Sequence, residues 1–146
     1  MKVFLDTNVL VSAVATRGLC ADVLRIVLES HEFVVSEALL SEMGRVLREK
    51  LGVPESIVSE YVEFIRQVGT VATPEAPVEV DIPDRADAEL VSAALNGRAD
   101  YFVTGDGELQ RLARVGPLEI GSPRAFWQKL RSRPSKKGTK KRMDRP

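Results

Sequence analysis

The chain has 146 residues, is 44% hydrophobic and carries no formal net charge at pH 7, which suits one globular domain whose core needs no covalent staple. One cysteine, Cys20, and one histidine, His31, exclude an internal disulfide framework and a four-ligand zinc site. No apolar run approaches the ~18 residues of a bilayer span, and Asp6 interrupts the apolar start, so neither a membrane helix nor a signal peptide is expected and a cytoplasmic protein is.

In chain order, Val3–Leu5 has the length and apolar character of a buried strand that stops at Asp6. After Arg17-Gly18, the residues Ala21, Leu24, Val27 and Leu28 recur at helical spacing as far as Glu29, and Phe33–Val35 reads as a second strand. Ser36 is an N-cap candidate for a helix from Glu37 to Lys50, with Leu39, Leu40, Met43 and Leu47 on one stripe and Gly52 ending it before Pro54. A further helix is expected from Pro54 to Val68, its inner face formed by Ile57, Val58, Tyr61, Phe64, Ile65 and Val68. Residues 70–73 are a weak strand candidate, and a loop follows as far as Asp84. Then comes a helix with Leu90, Val91, Ala94 and Leu95 inward, ending at Asn96-Gly97.

Tyr101–Val103 is the clearest later strand, and Thr104-Gly105-Asp106-Gly107 is the turn that leaves it. A short helix with Leu109 and Leu112, an edge strand from Pro117 to Ile120 and a closing helix from Pro123 to Leu130 complete residues 1–130. Those residues hold 13 Lys and Arg against 20 Asp and Glu, whereas residues 131–146 hold 8 against 1. The basic tail has nothing to bury and is expected to be disordered. It reads equally as an arm for phosphates or an acidic partner, and as a solubilising end that can contact the acidic body.

Strands alternating with helices imply an α/β sandwich on a mainly parallel sheet, with function at the carboxyl ends of the strands. Asp6 follows the first strand and Asp106 the strand at 101–103, so both carboxylates leave the same sheet edge. Glu42, and Asp84 or Asp87, are placed to join them. Such a cluster persists where a cation neutralises it or some members stay protonated. With no histidine or cysteine in the set, the oxygen donors suit magnesium or manganese. The reaction natural to that site is metal-assisted phosphodiester hydrolysis.

The segments VFLDTNVLVSA, SEALLSEM at 36–43, DRAD at 84–87 and FVTGD at 102–106 resemble, in order, the acidic motifs of PIN domains, in particular the VapC-type toxin ribonucleases of toxin-antitoxin pairs. Each motif alone is weak; four in order are specific. The resemblance spans about residues 2–128 and implies a three-layer α/β/α fold and a Mg2+- or Mn2+-dependent endoribonuclease. It implies a catalytic and metal-binding set of Asp6, Glu42, Asp87 and Asp106. Asn8 and Thr104 would hydrogen bond to the metal's water or to Asp6 and Asp106, and Asp84 is a substitute or supporting third acid. It also implies an RNA substrate, a cognate antitoxin and a homodimer.

Simpler roles exist for several of these residues. Glu42 has Arg45 at i+3 for an ordinary ion pair, Asp84 or Asp87 can serve a helix N-terminus, and Asp106 can be a turn residue. His31 reads as a loop histidine, Cys20 as a small buried apolar residue, and Phe126 and Trp127 as anchors of the last helix. Because the body is acidic, a bound polyanion needs the metal, Arg17, Arg98, Arg111 and the tail for attraction. The alternative to an enzyme is a non-catalytic module that binds nucleic acid or a partner on the same fold. A nucleotide-binding module is disfavoured by the lack of a phosphate-cradling glycine loop.

Overall fold

The computed structural model describes residues 1–72 and 78–132. The first strand, β1 (Lys2–Leu5), runs into α1 (Thr7–Ala15) and α2 (Leu19–Ser30); β2 (Glu32–Val35) is followed by α3 (Glu37–Glu49) and α4 (Glu55–Val68). Then come β3 (Thr70–Val71), α5 (Arg85–Asn96), β4 (Tyr101–Val103), α6 (Gly107–Leu112), β5 (Arg114–Val115), β6 (Leu118–Gly121) and α7 (Pro123–Ser132). The sheet order is β3-β2-β1-β4-β6-β5. Every pairing is parallel except β5 with β6. Crossovers to β2 and β3 step one way and the crossover to β4 steps back, so right-handed connections place α1–α4 on one face and α5 on the other. This is the three-layer α/β/α sandwich read from the sequence.

The central strands are apolar on both faces, as a covered parallel sheet requires: Val3, Phe4, Leu5, Val34, Val35, Phe102 and Val103 are essentially solvent-free. Phe4 stacks on Phe102 with ring centroids 5.4 Å apart, and Phe126 of α7 tilts against Tyr101 at 4.8 Å, so Phe126 anchors the closing helix as expected. Trp127 is partly buried against the same core, as is Cys20.

Register fixes the site. Leu5 pairs with Val103, so the next residues, Asp6 and Thr104, emerge side by side at the carboxyl edge, and the Asp6 N–H donates to the Val103 carbonyl at 2.9 Å. Beside them, Ser36 follows β2 and caps α3 by accepting from the Leu39 N–H at 3.1 Å.

Three readings are corrected. Residues 7–15, which gave no separate helix in the sequence, form α1: Asp6 caps it, and Val9, Leu10, Val11 and Ala13 are buried, so a wide apolar face leaves only a narrow outer stripe at Asn8, Ser12 and Ala15, and its burial overrides the weak helix preference of valine. The strand expected at 117–120 is not the edge, because the short β5 covers it. On α4, Val58 and Ile65 are buried but Ile57, Phe64 and Val68 are exposed. That helix packs on α3 and β3 at the end of the sheet, where a two-residue strand leaves its outer flank bare. The strand candidate at 70–73 is realised at Thr70–Val71. Residue 73, part of the following loop and the tail from 133 onward lie outside the described residues.

Candidate active site

Three acids occupy helix N-termini. Asp6 caps α1 by accepting from the Thr7 N–H at 2.7 Å, Asp84 caps α5 by accepting from the Asp87 N–H at 2.9 Å, and Asp106 caps α6 by accepting from the Glu108 N–H at 2.8 Å. The partial positive charge of each helix start favours a carboxylate there and offsets part of the repulsion among them. Asp87 sits in the first turn of α5, and its carboxylate accepts no hydrogen bond from the described residues.

A cavity of about 510 Å³ opens at this edge and is lined by Asp6, Asn8, Glu42, Asp87 and Asp106. The four acids named from sequence therefore converge. Asp84 and Thr104 are not among its lining residues. Asp84 faces a neighbouring cavity shared with Asp87 and Asp106. Thr104 is fully buried; its hydroxyl donates to Asp6 Oδ2 at 2.6 Å and accepts from the Asp106 N–H at 3.0 Å, tying two acids together.

The acids differ in readiness. Asp6 has both oxygens engaged, and burial, the main cause, raises its pKa against the lowering effect of Thr104 and Thr7. Asp87 is pushed up to about 6, first by burial and then by the charges of Asp84, Asp6 and Asp106. Asp106 has one oxygen spent on its cap. Glu42 is clamped by Arg45, at 3.1 Å from Nε and 2.6 Å from Nη2, and this hydrogen bonding holds its carboxyl below the usual range.

The donor chemistry fits a hard divalent cation: oxygen ligands only, and a carboxyl, Asp87, whose pKa is raised first by burial and then by three neighbouring carboxylates. A second sign is the Thr7 hydroxyl, buried on the cavity wall with no hydrogen-bond partner among the described residues. Among those residues no three acids stand close enough to form a finished cage, and Glu42 is held by Arg45.

The sequence reading missed Thr7, Glu89 and Lys50, which also line the cavity. Thr7 stands between two named residues, and Lys50 continues the i+4 ladder from Glu42, a spacing that was legible. The cations expected to attract a polyanion are elsewhere. Arg98 lines a cavity with Lys2 and His31 at the opposite, amino ends of the strands, Arg111 pairs with Glu108 at 3.3 Å, and Arg17 is not among the lining residues.

No helix among the described residues is long and apolar enough to cross a membrane. No curated protein matches the sequence. Among solved structures, the chain is similar to one chain of the crystal structure of VapBC2 from Rickettsia felis bound to a DNA fragment from their promoter, at 14% identity and a TM-score of 0.60, covering 82% of this chain and 98% of that one. Residues 2–108 match the PIN domain family, over the same four acidic segments that converge on the cavity, and the chain belongs to that family.

Proposed function

We propose that the protein is a Mg2+- or Mn2+-dependent endoribonuclease, the toxin of a toxin-antitoxin pair, with Asp6, Glu42, Asp87 and Asp106 as the metal-binding and catalytic acids. PIN domains are generally nucleases. The observation that carries the reading is the convergence of those four acids on one cavity at the carboxyl edge of the sheet. A divalent cation bound there would acidify an attacking water and neutralise charge on the phosphate and leaving oxygen.

The chain's own residues set that chemistry up. Thr104 orients Asp6 and the Asp106 backbone through its two hydrogen bonds. Asp87, its carboxyl pushed up to about 6, is largely ionised at neutral pH, and Asp84 stays a helix cap that raises the negative charge around it. Asn8 offers an amide at the cavity wall. The antitoxin and a homodimer are proposed on the family likeness, with the exposed Ile57, Phe64 and Val68 of α4 as apolar surface available to either.

The test is calorimetric titration of manganese into the metal-free protein beside Asp6→Asn and Asp106→Asn, followed by RNA cleavage with and without chelator. Binding lost in both variants, and cleavage lost with them, is expected; retained cleavage in Asp6→Asn sinks the proposal. A non-catalytic binding module is the second reading, favoured by the Arg45 clamp on Glu42. RNA binding without turnover of any RNA tried would select it.

A further inference from the structure

We propose that Lys50 is a substrate-contacting residue, whose ammonium holds a phosphate of the RNA strand beside the scissile one. This rests on the nuclease reading above. Ala38, Glu42, Val46 and Lys50 are spaced by four, so they form one row along α3 and its C-cap, and all four line the acidic cavity. The row extends about 18 Å along the helix axis. Ala86, Asp87 and Leu90 of α5 line it too, with Asp6 and Asp106 at the strand ends. The cavity is therefore a trough, with acids over the sheet and Lys50 at the far end of the α3 row.

Charge decides what that lysine does. Five carboxylates line the trough, from Asp6, Glu42, Asp87, Glu89 and Asp106, and Lys50 is the one cation among the described lining residues. A phosphodiester chain entering there meets repulsion everywhere except at a bound cation and at Lys50. The neighbouring arginines are committed: Arg45 to Glu42 and Glu49, and Arg48 to Glu55. Lys50 is exposed and forms no salt bridge with a described residue, although Glu42 feels its charge. Helical side chains lean toward the N-terminus, which carries the ammonium back over the trough.

Thr7, Asn8 and Gly105 complete the floor near the acids, and Ala38, Val46, Ala86 and Leu90 the remaining walls, with no aromatic ring among the described lining residues on which a base could stack. Lys50 therefore contacts backbone rather than base, and its contribution is the same for RNAs of different sequence. A lysine at a helix C-terminus also complements the helix dipole, but that role alone leaves RNA affinity untouched.

The experiment compares full-length wild type, Lys50→Ala and Lys50→Arg in two arms. In cleavage assays with manganese, Lys50→Ala is expected to raise KM about fivefold with kcat unchanged, and Lys50→Arg to restore KM, since one charge-assisted contact is lost and regained. In the second arm, anisotropy of labelled single-stranded RNAs of two sequences is followed against salt on an Asp106→Asn background. Lys50→Ala should lower the slope of log affinity against log salt by about 0.7, equally for both RNAs. Unchanged KM and unchanged slope overturn the proposal while leaving the nuclease reading intact. Loss of manganese affinity with an unchanged slope also overturns it, because Lys50 then acts only through Glu42. If wild type cleaves nothing, the nuclease reading fails, and the salt slope still decides whether Lys50 grips phosphate.

Discussion

Replacing Asp87 by asparagine removes a charge that the folded, metal-free protein holds at a cost. Its carboxyl, pushed up to about 6 by burial and by Asp84, Asp6 and Asp106, stands above the ~3.9 of an unfolded chain. Two units at 1.36 kcal/mol each set a ceiling of about 3 kcal/mol; the group is largely open to solvent, and screening brings the figure to about 1 kcal/mol. Between about pH 4 and 6 the folded state keeps a proton that the unfolded state has lost, so stability falls as pH rises through that window, and the penalty is complete above it. In chelator at about pH 7.5, Asp87→Asn should therefore be more stable than wild type by about 1 kcal/mol, or about 3 °C in Tm, and the gain should vanish below about pH 4. Urea denaturation followed by the fluorescence of Trp127, the only tryptophan, measures it. Manganese reverses the order, because an ion that binds only the folded state stabilises wild type by mass action and the variant has lost a ligand. A variant no more stable than wild type in chelator at about pH 7.5 refutes the argument from burial and neighbouring charge, and equal stabilisation of both proteins by manganese refutes Asp87 as a ligand.

Thr104→Val keeps the shape of a fully buried side chain but removes the donor to Asp6 Oδ2; a loss of about 2 kcal/mol in urea denaturation is expected for a hydrogen bond to a buried carboxylate, and a loss below about 0.5 kcal/mol contradicts it. Arg45→Met frees Glu42 from its clamp, so manganese affinity should rise about threefold by titration while stability changes by less than about 1 kcal/mol, the scale of an exposed pair; unchanged affinity removes Glu42 from the ligand set. Phe102→Ala in the central strand should cost about 4 kcal/mol in the same denaturation assay, since the stacked Phe4 ring loses its partner. Gly121→Ala drives a Cβ into the buried Tyr101 hydroxyl and should destabilise by about 2 kcal/mol, with Tyr101→Phe recovering part of the loss in the double variant.

The legible parts of the fold were those where one residue type had one physical reason to be there. Val3–Leu5, Phe33–Val35 and Tyr101–Val103 are apolar runs because both faces of a central parallel strand are covered, and Ser36 sits where a helix start needs an acceptor. Residues 7–15 were opaque because the buried face of α1 is wide and only Asn8 and Ser12 mark its outer stripe with polar side chains, too few to set a period against a run of valines. The turn into β5 was opaque for a different reason: Ala113 adopts φ 61°, a conformation in which a glycine or asparagine would ordinarily announce the bend. On α4 the period was read correctly and its environment was not. Ile57, Phe64 and Val68 continue the apolar stripe of Val58 and Ile65, and only the sheet order, with β3 as a two-residue end strand, reveals that no layer reaches them.

Asp6 and Asp106 were legible from their positions after strands, Asp84 and Asp87 from a helix start and Glu42 mostly from the family resemblance, and the two kinds of role weighed for them coexist. Asp6 directly follows β1, Asp106 lies three residues past β4 and each begins a helix, so each carboxylate spends an oxygen on an N-cap and is anchored near the sheet edge by doing so. Asp84 was left open against Asp87, and the structure separates them by hydrogen bonding: Asp84 accepts from the α5 backbone, while Asp87, one turn on, has no donor among the described residues. The more a carboxylate is satisfied by the protein, the less it gains from a cation, which ranks Asp87 first and the clamped Glu42 last as a source of binding energy. Manganese titrations of single Asn or Gln variants at the four positions should follow that order, with the largest loss at Asp87 and the smallest at Glu42→Gln. The reverse order would mean that geometry set by the ion, rather than how far each carboxylate is already satisfied by the protein, governs the site.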